Sequence, residues 1–130
     1  MYSTSVKTLA GIALFGLFPA IALAAQPQGT WRGLVQQANA DVAVQMTFVP
    51  NLVKVHFNEP LSCDVSAAFL KEDGATSIYR FKPSINGGRF CDSVLNRDLR
   101  FTVAADQTLD VMFETPRNPW RGKLKPVPSP

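Results

Sequence analysis

Histidine is almost missing from this chain: His56 is the only one among 130 residues. Nucleophilic catalysis needs a base beside a serine or cysteine and a carboxylate to orient it, and no Gly-x-Ser-x-Gly segment is present. Alternation of apolar residues places His56 on a solvent-facing side next to Lys54, where it reads as a surface residue. With one histidine and two cysteines, nitrogen and sulfur ligands for a metal are too few, and no Asp-x-Asp-x-Asp-Gly calcium loop replaces them. A glycosidase-type carboxylate pair is poorly supported, because most acids lie in or beside turns, as in Glu72-Asp73 and Asp106. The chain is therefore read as a non-enzyme with no catalytic residue, no metal and no cofactor.

Charge of one sign is also lacking. Thirteen lysines and arginines face ten acids, too even a balance for a nucleic-acid partner. Cysteine is confined to Cys63 and Cys91, which are not in a Cys-x-x-Cys arrangement, so a disulfide is expected in place of redox chemistry. Asn86-Gly87-Gly88-Arg89 has glycines but no helix pattern after it to bind phosphate, and reads as a hairpin turn. No window carries apolar residues at i, i+3, i+4 and i+7 between helix caps.

What is present begins with an export signal. Lys7 lies in a short polar head, Leu9 to Leu23 are an apolar run, and Ala22-Leu23-Ala24 supplies small residues for cleavage before Ala25. The run is shorter than the roughly 20 residues that cross a bilayer and contains Pro19, so no stable membrane insertion is expected after cleavage. Residues 1–24 are assigned to a signal peptide, 25–125 to one β domain and 126–130 to an extended proline-rich tail. Export to the periplasm would let Cys63 and Cys91 pair, and closing the loop between them stabilises the fold by about 3.6 kcal/mol on the chain-entropy model. A domain this small needs such a staple.

Beyond the signal the apolar period is two. Val42, Val44, Met46 and Phe48 alternate with polar or small residues, as do Val53, Val55 and Phe57 after the turn Pro50-Asn51. Val65, Ala67 and Phe69 lead to Glu72-Asp73-Gly74, and Tyr79 and Phe81 follow. Leu99, Phe101 and Val103, then Leu109, Val111 and Phe113, flank Ala105-Asp106-Gln107. The fold class is all-β: about eight antiparallel strands in a small closed or nearly closed barrel, with a two-sheet sandwich as the alternative. Thr30-Trp31-Arg32-Gly33 is echoed by Pro119-Trp120-Arg121-Gly122, which suits pairing of the first and last strands, with the glycines permitting close approach.

The Trp-x-Gly opening, the strand pair, Pro60-Leu61-Ser62-Cys63 and Gly87-Gly88-Arg89-Phe90-Cys91 together resemble small disulfide-containing periplasmic β-barrel proteins of bacteria, namely exported lysozyme inhibitors and immunity proteins. The resemblance implies a periplasmic protein without catalysis that binds a protein partner, a toxin or cell-wall hydrolase, and inhibits it. The Ser-Gly-x-x-Tyr segment with which the lysozyme inhibitors enter their enzyme is missing, which points toward immunity against another secreted toxin. Outward Arg80, Lys82, Arg100, Arg121 and Lys123 are the candidate partner-binding residues. The competing reading is a lipocalin-like carrier of a small apolar ligand, against which stand six inward phenylalanines that would fill a small barrel.

Overall fold

The computed structural model describes residues 26–128. The expected signal peptide, Ala25 and the last two residues of the expected tail lie outside that range. Eight antiparallel strands close into a barrel in sequence order: β1 (Gly29–Gln37), β2 (Ala40–Val49), β3 (Leu52–Phe57), β4 (Cys63–Asp73), β5 (Thr76–Phe81), β6 (Asp98–Val103), β7 (Leu109–Phe113) and β8 (Trp120–Pro126). A one-turn helix, α1 (Arg89–Ser93), interrupts the connection from β5 to β6. Period two is imposed by the pleat, so each strand sends every second side chain into the lumen and the next one into water. On β2 the buried set is Val42, Val44, Met46 and Phe48, as the alternation predicts.

Closure depends on two glycines. β1 and β8 pair antiparallel with Gly33 opposite Leu124 and Val35 opposite Gly122. A Cβ on Gly33 would collide with the backbone oxygen of Lys123, and one on Gly122 with that of Leu34. The seam is thus too close for any side chain at either position, and this accounts for the echoed Trp-Arg-Gly. Closing the seam leaves no unpaired edge in the sheet. β8 continues through Pro126, and the Val127 amide donates to Thr30 O at 2.8 Å, so the first two residues of the expected tail are held to the barrel.

Most turns are short. Pro50-Asn51 joins β2 to β3 with Asn51 at φ 61°, and Gly74-Ala75 joins β4 to β5 with Gly74 at φ 60°. Leu70 is bulged out of register between β4 and β5. Around Asp106 the carboxylate accepts from both the amide (3.1 Å) and the hydroxyl (2.6 Å) of Thr108, which holds that carboxyl below its usual range.

The hairpin expected at Asn86-Gly87-Gly88 is corrected by the structure. Those residues belong to a long excursion from Lys82 to Arg97 that enters α1. The helix has only one turn, too short to show a sequence period, and it is set by tertiary contacts. Phe90 and Val94, four residues apart, face the barrel with Cys91 between them. Cys91 is bonded to Cys63, with Cα atoms 6.1 Å apart. Gly88 has φ 113° and lies so close to Cys63 that a Cβ would stand 2.9 Å from the cysteine's own, so glycine is required where the helix meets β4.

Candidate functional site

The lumen is filled. At the end where β1 begins, Phe48 packs on Phe101 (4.9 Å between ring centres) and on Tyr79 (5.9 Å), while Phe69 packs on Tyr79 (5.4 Å). Toward the other end Phe57, Phe113 and Trp120 meet Phe90 from α1, Phe81 packs on Phe113, and Phe113 and Trp120 stack in parallel planes. Each such pair adds about 0.5–1.5 kcal/mol beyond the area it buries. Five of the six phenylalanines expected inside are buried and Phe69 is partly so. Four clefts open to solvent, one at the barrel's rim and three on its outer wall.

Four of the five candidate cations lie together on that wall. The outward positions of β5 to β8 fall into rows fixed by strand register. One row runs Ile78, Arg100, Met112, Arg121 and on to Gln36 of β1. The next begins with Thr76, Thr102, Asp110 and Lys123. Arg80 and Asp98 face each other one position beyond Ile78 and Arg100. Asp98 accepts from Arg80 at 3.0 Å and from Arg100 at 3.3 Å, and Asp110 accepts from Lys123 at 2.7 Å. The Asp110 carboxylate holds the Lys123 ammonium above its usual range. Arg121 alone has no side-chain hydrogen bond or ion pair among the described residues. Ile78, although outward, is only 3% exposed between its register partners Lys71 and Arg100, whose long apolar stems suit such a position.

Between these side chains lies a cleft of about 380 Å³ lined by Thr76, Arg100, Thr102, Asp110, Met112 and Arg121. It is deepened at Gly122, where no side chain rises from β8, and a second hollow lies on the far side of that glycine beside Leu34 and Gln36. The floor is apolar at Met112, and the walls carry the Arg100 and Arg121 guanidiniums together with the Asp110 carboxylate, which Lys123 neutralises. Thr76 and Thr102 share a hydrogen bond of 2.8 Å, leaving one hydroxyl proton to donate outward. Lys82 does not join this group. It stands exposed past the end of β5, where its amide donates to Ser66 O at 2.9 Å.

His56 points outward from β3 as expected, and the structure adds a partner: its Nδ1 lies 2.7 Å from Asp64 Oδ1 across the strand pair. Asp64 also receives Asn86 Nδ2 at 3.3 Å and donates its amide to Asn86 Oδ1, so it pins the excursion to β4. A histidine and carboxylate alone lack a nucleophile, and Cys63 and Cys91 are both bonded. Among the described residues no group of three or more metal-ligating side chains converges.

The cations were legible in the sequence, whereas the excursion and the Asp98 and Asp110 partners were not. Phe90 and Val94 spaced by four around Cys91 were the available signal for α1. No sequence signal distinguishes Arg121, unpaired, from Arg80, paired, because that depends on which strands adjoin. Searches of family models, characterised proteins and solved structures find no match to this chain.

Proposed function

We propose that the chain is an exported periplasmic protein without catalytic activity that binds and inhibits an enzyme acting in the envelope, as the immunity partner of a secreted cell-wall-targeting toxin. The observation that carries this reading is the cationic outer wall of β5 to β8 on a barrel whose lumen is occupied by its own side chains. Recognition has to occur on the outside of such a molecule. Strand-borne arginines are well suited to it, since the backbone beneath them loses little freedom on binding. The disulfide is consistent with a protein outside the cytoplasm. The filled interior speaks against the lipocalin-like carrier, because a bound apolar molecule would have to displace packed phenylalanines.

The test is co-expression with toxin genes encoded beside this one, followed by purification of the complex from periplasm and measurement of cell survival. A nanomolar complex that restores survival supports the reading. Survival unchanged by the protein, with no complex formed, overturns it. A stoichiometric small molecule retained in native mass spectrometry would favour the carrier instead.

A further inference from the structure

We infer that the gap over Met112, between Arg100 and Arg121, is a carboxylate-receiving slot that takes an extended acidic segment of a protein. The outer wall already shows how it handles carboxylates. Asp98 sits between Arg80 and Arg100, and Asp110 sits against Lys123. Cations and acids thus alternate across β5 to β8 until Arg121, which lacks a counter-charge among the described residues. The position that would complete the pattern is occupied by Met112, the register partner of both Arg100 and Arg121. An external acidic segment laid across it would meet a guanidinium at either side and the hydroxyl pair of Thr76 and Thr102, while the Asp110 carboxylate that also lines the cleft is held by Lys123.

The surroundings favour a polypeptide over a phosphate or a free small acid. The cleft of about 380 Å³ has an apolar floor at Met112, which suits the methylene stem of a glutamate or a proline ring and adds nothing for a bare phosphate. Arg100 and Arg121 are two strand spacings apart, about 9.5 Å. Side chains recur on one face of a polyproline II segment every three residues, about 9.3 Å. Two acids separated by two residues would therefore reach both arginines. Planar guanidiniums also bind carboxylates in bidentate fashion, which gives direction as well as attraction. The slot depends on the inhibitor reading only for its partner being a protein; the geometry holds without it.

The probe is a capped peptide with two glutamates separated by two prolines, titrated into isotopically labelled exported protein at low salt and followed by NMR. Expected are saturable shifts confined to the amides of Thr76, Arg100, Thr102, Met112 and Arg121. Arg121→Gln should raise Kd about fivefold or more, and Lys82→Gln, a cation of the same molecule outside the cleft, should leave it unchanged. Arg121 is exposed and unpaired, so its replacement leaves the fold intact. Met112→Glu places a carboxylate in the gap permanently: peptide binding should be lost and the introduced carboxyl should titrate below the ordinary glutamate range. The slot is overturned if the glutamine version of the peptide binds equally, or if tripolyphosphate moves the same amides with equal affinity. It is also overturned if Arg121→Gln binds like the parent, or if the introduced carboxyl titrates normally. Toxin protection is measured without the peptide. Protection that survives a failed slot leaves the inhibitor reading standing on another surface, whereas peptide binding without protection overturns that reading alone.

Discussion

The two ends of the barrel are closed by different means. At the end where β3, β5 and β7 finish, the excursion folds back so that α1 lies across the opening. Phe90 contacts Phe57, Phe113 and Trp120 there, Val94 is fully buried, and Cys91 is bonded to β4. At the opposite end the closing group is Gln26. Its side chain accepts from the Tyr79 hydroxyl at 3.3 Å, accepts from the Asn51 amide at 3.3 Å and donates to Asn51 Oδ1 at 3.2 Å. A cleft of about 500 Å³ remains beside it, lined by Phe48, Val49 and the Pro50-Asn51 turn. Covalent and aromatic closure resists opening up to the stability of the whole domain, whereas a few solvent-competed hydrogen bonds separate locally at small cost. One mouth is therefore held by a covalent bond and α1, whereas at the other only the Gln26 cap can separate locally from the Phe48, Tyr79 and Phe69 rings packed beneath it, and the cationic wall lies along the side, on strands that span both.

The strongest way to break this contrast is at the fixed end. Cys63→Ser or Cys91→Ser removes the constraint on the unfolded chain and should lower stability by about 2–5 kcal/mol. Urea denaturation of the protein purified with its disulfide formed measures it, and midpoints equal to the parent's would show that α1 holds without the bond. Phe90→Ala comes next. A fully buried phenylalanine costs about 3–5 kcal/mol on truncation, and Phe90 is partly buried, so about 2–3 kcal/mol is expected. Amide exchange should quicken in α1 and leave the Gln26 end unaffected. Faster exchange throughout would mean that the two ends unfold as one unit.

The smallest expected effect is at the other end. Tyr79→Phe deletes the hydroxyl that reaches Gln26 and should cost about 0.5–1.5 kcal/mol. The same side chain sets an alkaline limit. Burial, helped by the nearby Glu72 carboxylate, pushes the Tyr79 hydroxyl up to about 12 from the ordinary 10. The folded protein holds this proton more tightly than the unfolded chain does, so the contribution is complete below pH 10 and is lost between 10 and 12. Lys123 titrates in the same direction through Asp110, so Lys123→Gln is the necessary control. Alkaline loss should diminish in Tyr79→Phe; a pH profile identical to the parent's would assign the loss elsewhere.

These differences between the ends bear on what was legible in advance. Cys63 and Cys91 announced the fixed end because a chain with only two cysteines, outside a Cys-x-x-Cys arrangement, has few alternatives to pairing them, yet the helix carrying Cys91 was hidden in a glycine pair that looks like a turn. Gln26 carried no signal, since its role comes from the distance between the start of β1 and a tyrosine on β5. The candidate cations divided in the same way. Alternation showed that Arg80, Arg100, Arg121 and Lys123 point outward, which is a local property of each strand. Pairing with Asp98 and Asp110, and the exclusion of Lys82, required knowing the neighbours.

By itself the sequence determined the strands, their inward and outward faces and the pairing of its two cysteines. These follow from a period of two and from simple counting, and they involve residues near one another in the chain or chemistry with one available partner. Only the tertiary structure decided the register in which Gly33 and Gly122 meet across the seam, the path of the excursion across one mouth, and the arginine without a partner among the described residues beside Met112. Each of those depends on hydrogen-bond register between strands far apart in sequence. A shift of one residue in that register would turn every side chain of a strand to the opposite face, so no local pattern could have specified them.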